Sequence, residues 1–112
     1  MKANELRHNN WYLLDGKPFR YDAESYIHPD IKRLNPIPLT PEVLEKCGFK
    51  ELLHNQWGFG ENPVTQDYMI IVRYSKLIDR FYYQNAHFKI THLHQLQNLY
   101  FALTGEELDY KP

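Results

Sequence analysis

Apolar positions recur at helical spacing near the end of the chain. At 100° per residue, Leu93, Leu96, Leu99, Tyr100 and Leu103 fall on one side, which predicts an amphipathic helix over Thr91–Gly105 with Gly105 placed to end it. Burying four such leucines contributes on the order of 6–12 kcal/mol before entropy, an upper figure. A different period governs Tyr68–Ser75. Its centre, Met69-Ile70-Ile71-Val72, is apolar on both faces, as expected of a central strand. Phe81–Gln84 and His87–Thr91 read as a hairpin around Asn85-Ala86, with Phe88 and Ile90 inward and His87, Lys89 and Thr91 outward.

Trp11-Tyr12-Leu13-Leu14 and Lys17-Pro18-Phe19-Arg20-Tyr21 flank Asp15-Gly16, the chemistry of a two-residue hairpin turn with positive φ at both positions. Pro18 has no amide donor, which puts the second strand at a sheet edge or starts it just after the proline. Residues 22–38 carry Pro29, Pro36 and Pro38 and read as an irregular connection with a short strand at Ser25–His28. Thr40-Pro41-Glu42 then starts a short helix. The threonine caps free amides, the proline occupies the first turn and the glutamate complements the dipole. Val43, Leu44 and Cys47 give it an apolar side, and Gly48 stops it. Phe49–Pro63 is mixed, with a loop at Gly58–Pro63. The fold expected is α+β, a single domain over residues 1–112: a small, mostly antiparallel sheet with one short central helix and a C-terminal amphipathic helix.

Length and composition agree with this. A chain of 112 residues has the size of one domain, and nine Tyr, six Phe and two Trp suit strands and mixed interiors. The formal charge of −1 gives no global attraction to nucleic acid or to an anionic membrane, so any such binding must be local. Cys47 is the sole cysteine, so no internal disulfide can form, which fits a reducing compartment. The opening residues lack the apolar run of a signal peptide and no stretch approaches the ~20 apolar residues of a membrane span. The expected location is cytoplasmic, with no membrane partner.

No motif specific to a reaction is present. His92-Leu93-His94 straddles a strand-to-helix junction with no Cys or acidic residue beside it, so no metal site is expected. Cys47 sits near a helix C-terminus, where the dipole disfavours a thiolate, and reads as a buried apolar side chain. Gly58-Phe59-Gly60 lacks the Lys-Ser/Thr and third glycine of phosphate loops. In Pro38-Leu39-Thr40-Pro41, the last proline serves the helix start rather than a proline-rich ligand. Hence no catalytic residue and no cofactor are assigned.

Two segments carry binding chemistry. Arg73, Tyr74, Lys76, Arg80 and Tyr82 interleave cations with aromatics, the combination used on single-stranded nucleic acid. In the last helix, His92–Thr104 contains no Asp, Glu, Lys or Arg, and the side opposite the leucines carries His94, Gln97, Asn98 and Phe101. An uncharged polar face with one aromatic suits protein contact. The same face also suits burial under neighbouring strands with its amides bonded inside.

His94-Gln95-Leu96-Gln97-Asn98-Leu99-Tyr100-Phe101-Ala102-Leu103-Thr104-Gly105-Glu106-Glu107-Leu108 resembles the C-terminal signature of a family of small, uncharacterised proteins of Bacteroidetes and their prophages. Asn4-Glu5-Leu6-Arg7 with Asn10-Trp11, and Pro36-Ile37-Pro38-Leu39-Thr40, are similar to its N-terminal and middle blocks. This chain has His8-Asn9 where that family has Ile-Gly, a departure at the site of a tight turn, and Glu51–Tyr83 is private to it. The resemblance implies mobile-element cargo that binds and modulates a host protein. A nuclease or nucleoprotein complex of host defence, inhibited in the anti-CRISPR manner, is one version. The sequence thus leads to a non-enzymatic binding protein acting through His94, Gln97, Asn98 and Phe101. An RNA- or single-stranded-DNA-binding accessory acting through the basic-aromatic segment comes second, and an enzyme third.

Overall fold

A computed structural model of the protein describes residues 5–26, 28–53, 55–84 and 88–112. The fold is α+β, with two antiparallel sheets where the sequence suggested one. The chain sorts into two compact units, Met1–Pro38 with His92–Leu108 and Leu39–Thr91 with Asp109–Pro112.

The first unit holds strands β1 (Trp11–Leu14), β2 (Lys17–Arg20) and β3 (Leu34–Asn35) in the order β2-β1-β3. The hairpin forms as its turn chemistry predicts. Asp15 and Gly16 take φ of 51° and 83°, and Leu14 pairs with Lys17 across them. Pro18 lies on the edge strand β2, opposite Leu13. Arg33 donates from its guanidinium to the Asp15 carboxylate, while the Asp15 amide donates to the Arg33 carbonyl at 3.2 Å. These bonds tie the turn to β3, and the guanidinium holds the Asp15 carboxyl below its ordinary range.

The short strand expected at Ser25–His28 is absent at Ser25, Tyr26 and His28; Ile27 lies outside the described residues. The pairing falls later in the connection. Asp30 caps a 3-10 turn at Ile31–Arg33, and Leu34 follows it into β3 with its side chain buried. A tight turn does form at Arg7–Asn10, where the Asn10 amide donates to the Arg7 carbonyl at 3.1 Å and Asn9 takes φ 72°. Asparagine is one of the few residues that can replace glycine in that conformation.

Helix α2 (Leu93–Thr104) closes this unit, as its periodicity predicts. The Gln95 side chain accepts from the His92 amide at 3.2 Å, and Gly105 ends the helix in the left-handed region at φ 74°. Leu93 and Leu96 are fully buried and Tyr100 nearly so, whereas Leu103 is half exposed and Leu99 intermediate. The leucine contribution therefore falls to about 3–6 kcal/mol. The core also contains Tyr12, Leu34, Ile37 and Leu108.

The second unit is a five-stranded antiparallel meander in the order β4-β5-β6-β7-β8. Its strands are β4 (Lys50–Glu51), β5 (Gln56–Glu61), β6 (Tyr68–Ser75), β7 (Arg80–Tyr83) and β8 (Lys89–Ile90). β6 is central, as expected, although only one of its faces is the core. Ile70 and Val72 are buried while Met69 is 57% exposed. Paired residues place Trp57 opposite Val72, Phe59 opposite Ile70 and Phe81 opposite Ile90, so these side chains share the core face. Phe88, expected inward, is about half exposed, with its ring 5.9 Å from that of Tyr83. The turn around Asn85-Ala86, with His87, lies outside the described residues.

Helix α1 (Pro41–Lys46) begins as predicted. Thr40 caps it by accepting from the Val43 amide at 3.2 Å, and Val43, Leu44 and Cys47 are buried. Phe49 follows, its ring 5.3 Å from that of Phe59. The Lys111 amide donates to the Lys46 carbonyl at 3.0 Å, which brings buried Tyr110 into this unit. No helix among the described residues is long and apolar enough to cross a membrane.

A helix of barely two turns depends on its cap. Thr40→Ala is expected to lower stability by about 1 kcal/mol and Thr40→Ser by much less, read as shifts in the urea midpoint.

Candidate functional site

The uncharged side of α2 is accounted for within the first unit. Gln97 is fully buried and both ends of its amide are used. Its Oε1 accepts from the Trp11 backbone amide at 2.9 Å, and its Nε2 donates to the Leu108 carbonyl at 3.4 Å. Asn98 accepts at Oδ1 from Asn10 Nδ2 at 2.7 Å. Asn10, itself fully buried, accepts from Arg7 Nη1 at 2.7 Å. The same guanidinium grips Glu107 through contacts of 3.1 and 2.6 Å and lies 4.3 Å from the centre of the Phe101 ring. His94 is 5% exposed, with its ring 5.5 Å from that of Tyr12.

His94 and Gln97 are therefore interior residues and not part of an exposed contact face. Asn98 and Phe101 remain at the surface, Phe101 at 42% exposure under the Arg7 cation. The face lacks charges because it meets backbone and amide groups of residues 7–12, and unpaired ions would be costly there. Replacing Gln97 with Leu leaves the Trp11 amide and the Leu108 carbonyl without that partner. A loss of about 1–3 kcal/mol is expected in chemical denaturation.

His94 is a weak point in this interior. Its Nδ1 is buried and has no hydrogen-bond partner among the described residues. Burial, and secondarily the neighbouring His92 ring at 5.8 Å, push its pKa below the ordinary 6.5, partly offset by the carboxylate of Glu5. The folded chain thus binds this proton less readily than the unfolded chain. Stability is full above pH ~6.5 and falls as the pH drops from there toward the lowered folded value. His94→Phe is expected to flatten that fall, measured as urea midpoints between neutral and mildly acidic pH.

Cys47 is 4% exposed, and burial, aided by the charge of Asp109, pushes its thiol up to about 12. It packs as a small apolar side chain and is a poor nucleophile. Among the described residues, no group of three or more His, Cys, Asp or Glu is placed to hold a metal ion. An open cleft lined by His8, Asn9, Arg20, Tyr21, Asp22 and Glu24 has its polar groups engaged with one another. His8 Nδ1 accepts from the Ala23 amide at 3.1 Å, and Asp22 accepts from the Glu24 amide at 2.9 Å.

The basic-aromatic segment is divided between the two faces of the second unit's sheet by strand alternation. Arg73 and Tyr82 pair across β6 and β7 and share the non-core face. Arg80, opposite Ser75, shares that face and is exposed. Tyr74 turns the other way, its ring 5.2 Å from that of Phe81 and its hydroxyl bonded to Asp79. Lys76 stands in the turn between the strands. The register adds residues that the linear segment does not contain. Lys89 is opposite Tyr82 and Gln56 is opposite Arg73, so Gln56, Arg73, Tyr82 and Lys89 form one row across four strands. That row holds two cations flanking an aromatic ring and no carboxylate.

By register Tyr68, opposite Glu61 and two residues from Ile70, belongs with the core face, yet its ring lies where a side chain at Gly58 would be. Gly58 pairs with Ile71, so a side chain there would point to the same face as Arg73. That space is filled. A Cβ at Gly58 would come within 2.6 Å of Tyr68 Cδ1 and 3.0 Å of Leu52 Cδ1. The tyrosine ring is thus seated on the bare glycine backbone of β5. Gly58-Phe59-Gly60, expected in a loop, lies within β5; Gly58 answers the close approach of that ring, and Gly60 a backbone φ of 73°.

No family model, curated protein or solved structure matches the chain.

Proposed function

We propose that the protein is a non-enzymatic binding protein whose second-unit sheet holds single-stranded RNA or DNA on its non-core face. The observation that carries this reading is the cross-strand row Arg73–Tyr82–Lys89. An aromatic ring offers a stacking surface to any base, and cations on either side of it suit the phosphates of the same strand. Arg80 adds charge on the same face, and Met69 and Ile71 give it an apolar component. Because the chain as a whole is nearly neutral, attraction is confined to this face and should be sensitive to salt. The mobile-element context implied by the sequence resemblance is compatible with a small accessory protein of this kind. A host protein docking on α2 has less support, because two of the four residues assigned to that contact are used inside the unit.

Titration of a fluorescently labelled oligouridylate of about a dozen nucleotides tests the reading. With three phosphate contacts, log K is expected to fall with log salt at a slope of about −2, measured between about 50 and 200 mM. Tyr82→Ala should weaken binding by about 1–3 kcal/mol. Arg73→Ala should make the slope shallower by about 0.7. Absence of binding by the unaltered protein at the lower salt overturns the reading.

A further inference from the structure

The same sheet face carries a second aromatic surface, and its position constrains the ligand. Tyr68 lies over Gly58 on β5, while Tyr82 stands on β7, two strands away. Between them runs β6, with Ile71 opposite Gly58 and Arg73 opposite Tyr82. Neighbouring strands are about 4.8 Å apart and successive residues on one face about 6.6 Å, so the two aromatic positions are separated by roughly 10 Å or more. Bases stacked in a duplex follow one another at about 3.4 Å along each strand. Adjacent bases of a helical stack therefore cannot occupy both surfaces. An extended strand with its bases splayed apart can.

Resting on the nucleic-acid reading above, we propose that the ligand is an extended single strand that crosses the β-strands and seats two separated bases. One base stacks on Tyr82 and the other on Tyr68, while Arg73, between the two, holds a phosphate of the intervening linkage. Gly58 is a positioning residue in this arrangement. Its missing side chain is what lets the Tyr68 ring lie against β5 and present its other side. Leu52, whose methyl would also meet a Cβ at Gly58, borders the ring from the β4 side. The flanking loops are not required. Stacking of this kind tolerates any base, so the expected preference is for single strand over duplex and not for a sequence.

The test is a length series of labelled oligothymidylates and oligouridylates, from about two to ten nucleotides, with a duplex of matching length as comparison. Running both sugars separates DNA from RNA as the source of the strand. Affinity is expected to rise steeply until the oligonucleotide bridges both rings, at about four nucleotides, and only slowly beyond. The duplex is expected to bind at least tenfold more weakly. Tyr68→Ala should lower the affinity for long oligonucleotides about tenfold and remove the step in the length series, while Tyr68→Phe keeps both. Gly58→Ala, which displaces the ring, should behave like Tyr68→Ala. Circular dichroism confirms that each variant is folded, and if Gly58→Ala is not, Tyr68→Ala and Tyr68→Leu carry the comparison. If Tyr68→Ala binds like the unaltered protein while Tyr82→Ala is weakened, the two-base arrangement is wrong and the binding face stands. If the unaltered protein binds no oligonucleotide, both fall together.

Discussion

The first unit depends on one buried amide. Gln97 projects from the middle of α2 and connects the helix to the start of β1 through the Trp11 amide and to the following tail through the Leu108 carbonyl. A fully buried amide is tolerated only when its donor and acceptor are both engaged, so the helix can sit on the sheet in one rotational setting. That setting places Asn98 against Asn10 and brings Glu107 and Phe101 around the Arg7 guanidinium. The leucines supply the apolar burial that holds the helix down. The amides decide where it is held. Exposed ion pairs contribute little by themselves, yet Arg7 binds Asn10, Glu107 and the Phe101 ring together, so its geometry is fixed by several partners.

Features encoded by neighbouring residues were legible in the sequence. Asp15-Gly16 set the first hairpin, Thr40-Pro41 started α1, and the leucine spacing with Gly105 bounded α2. Features that depend on distant pairing were not. Nothing local distinguishes one sheet from two, and Leu34–Asn35 becomes a strand only because β1 lies beside it. Gly58 and Gly60 looked like loop residues because glycine is ambiguous. It marks a turn, or it marks a place where another group comes close; at Gly58 that group is the Tyr68 ring, while Gly60 takes φ 73° and lies against Met69. The central placement of β6 was legible although the premise behind it failed, since Met69 faces outward and the apolar run is not buried on both sides.

The candidate sites divide in the same way. Composition alone marked the side of α2 bearing His94, Gln97, Asn98 and Phe101 as unusual. An uncharged polar face has the same composition whether it meets another protein or its own chain. Only the partners found at Gln97 and Asn98 separate the two cases. The basic-aromatic segment was visible as a run, but a run mixes the two faces of a strand. Alternation keeps Arg73, Arg80 and Tyr82, removes Tyr74, and pairing adds Lys89 and Gln56 from the flanking strands outside that run.

A net charge near zero argues against nucleic-acid binding only if charge is spread evenly over the molecule, and a sheet does not spread it evenly. Each strand sends alternate residues to opposite faces, so a sequence with balanced charges can form one face with an excess of cations. At physiological salt, charges more than about 8–10 Å away are largely screened. A phosphate bound as proposed would therefore meet chiefly Arg73, Lys89 and Arg80, with Asp79 beside Arg80 as the nearby opposing charge. The aromatic rings add an attraction that salt does not screen. A face built this way can hold a strand by stacking and use its few cations to fix the backbone, a division of labour that a nearly neutral protein can sustain.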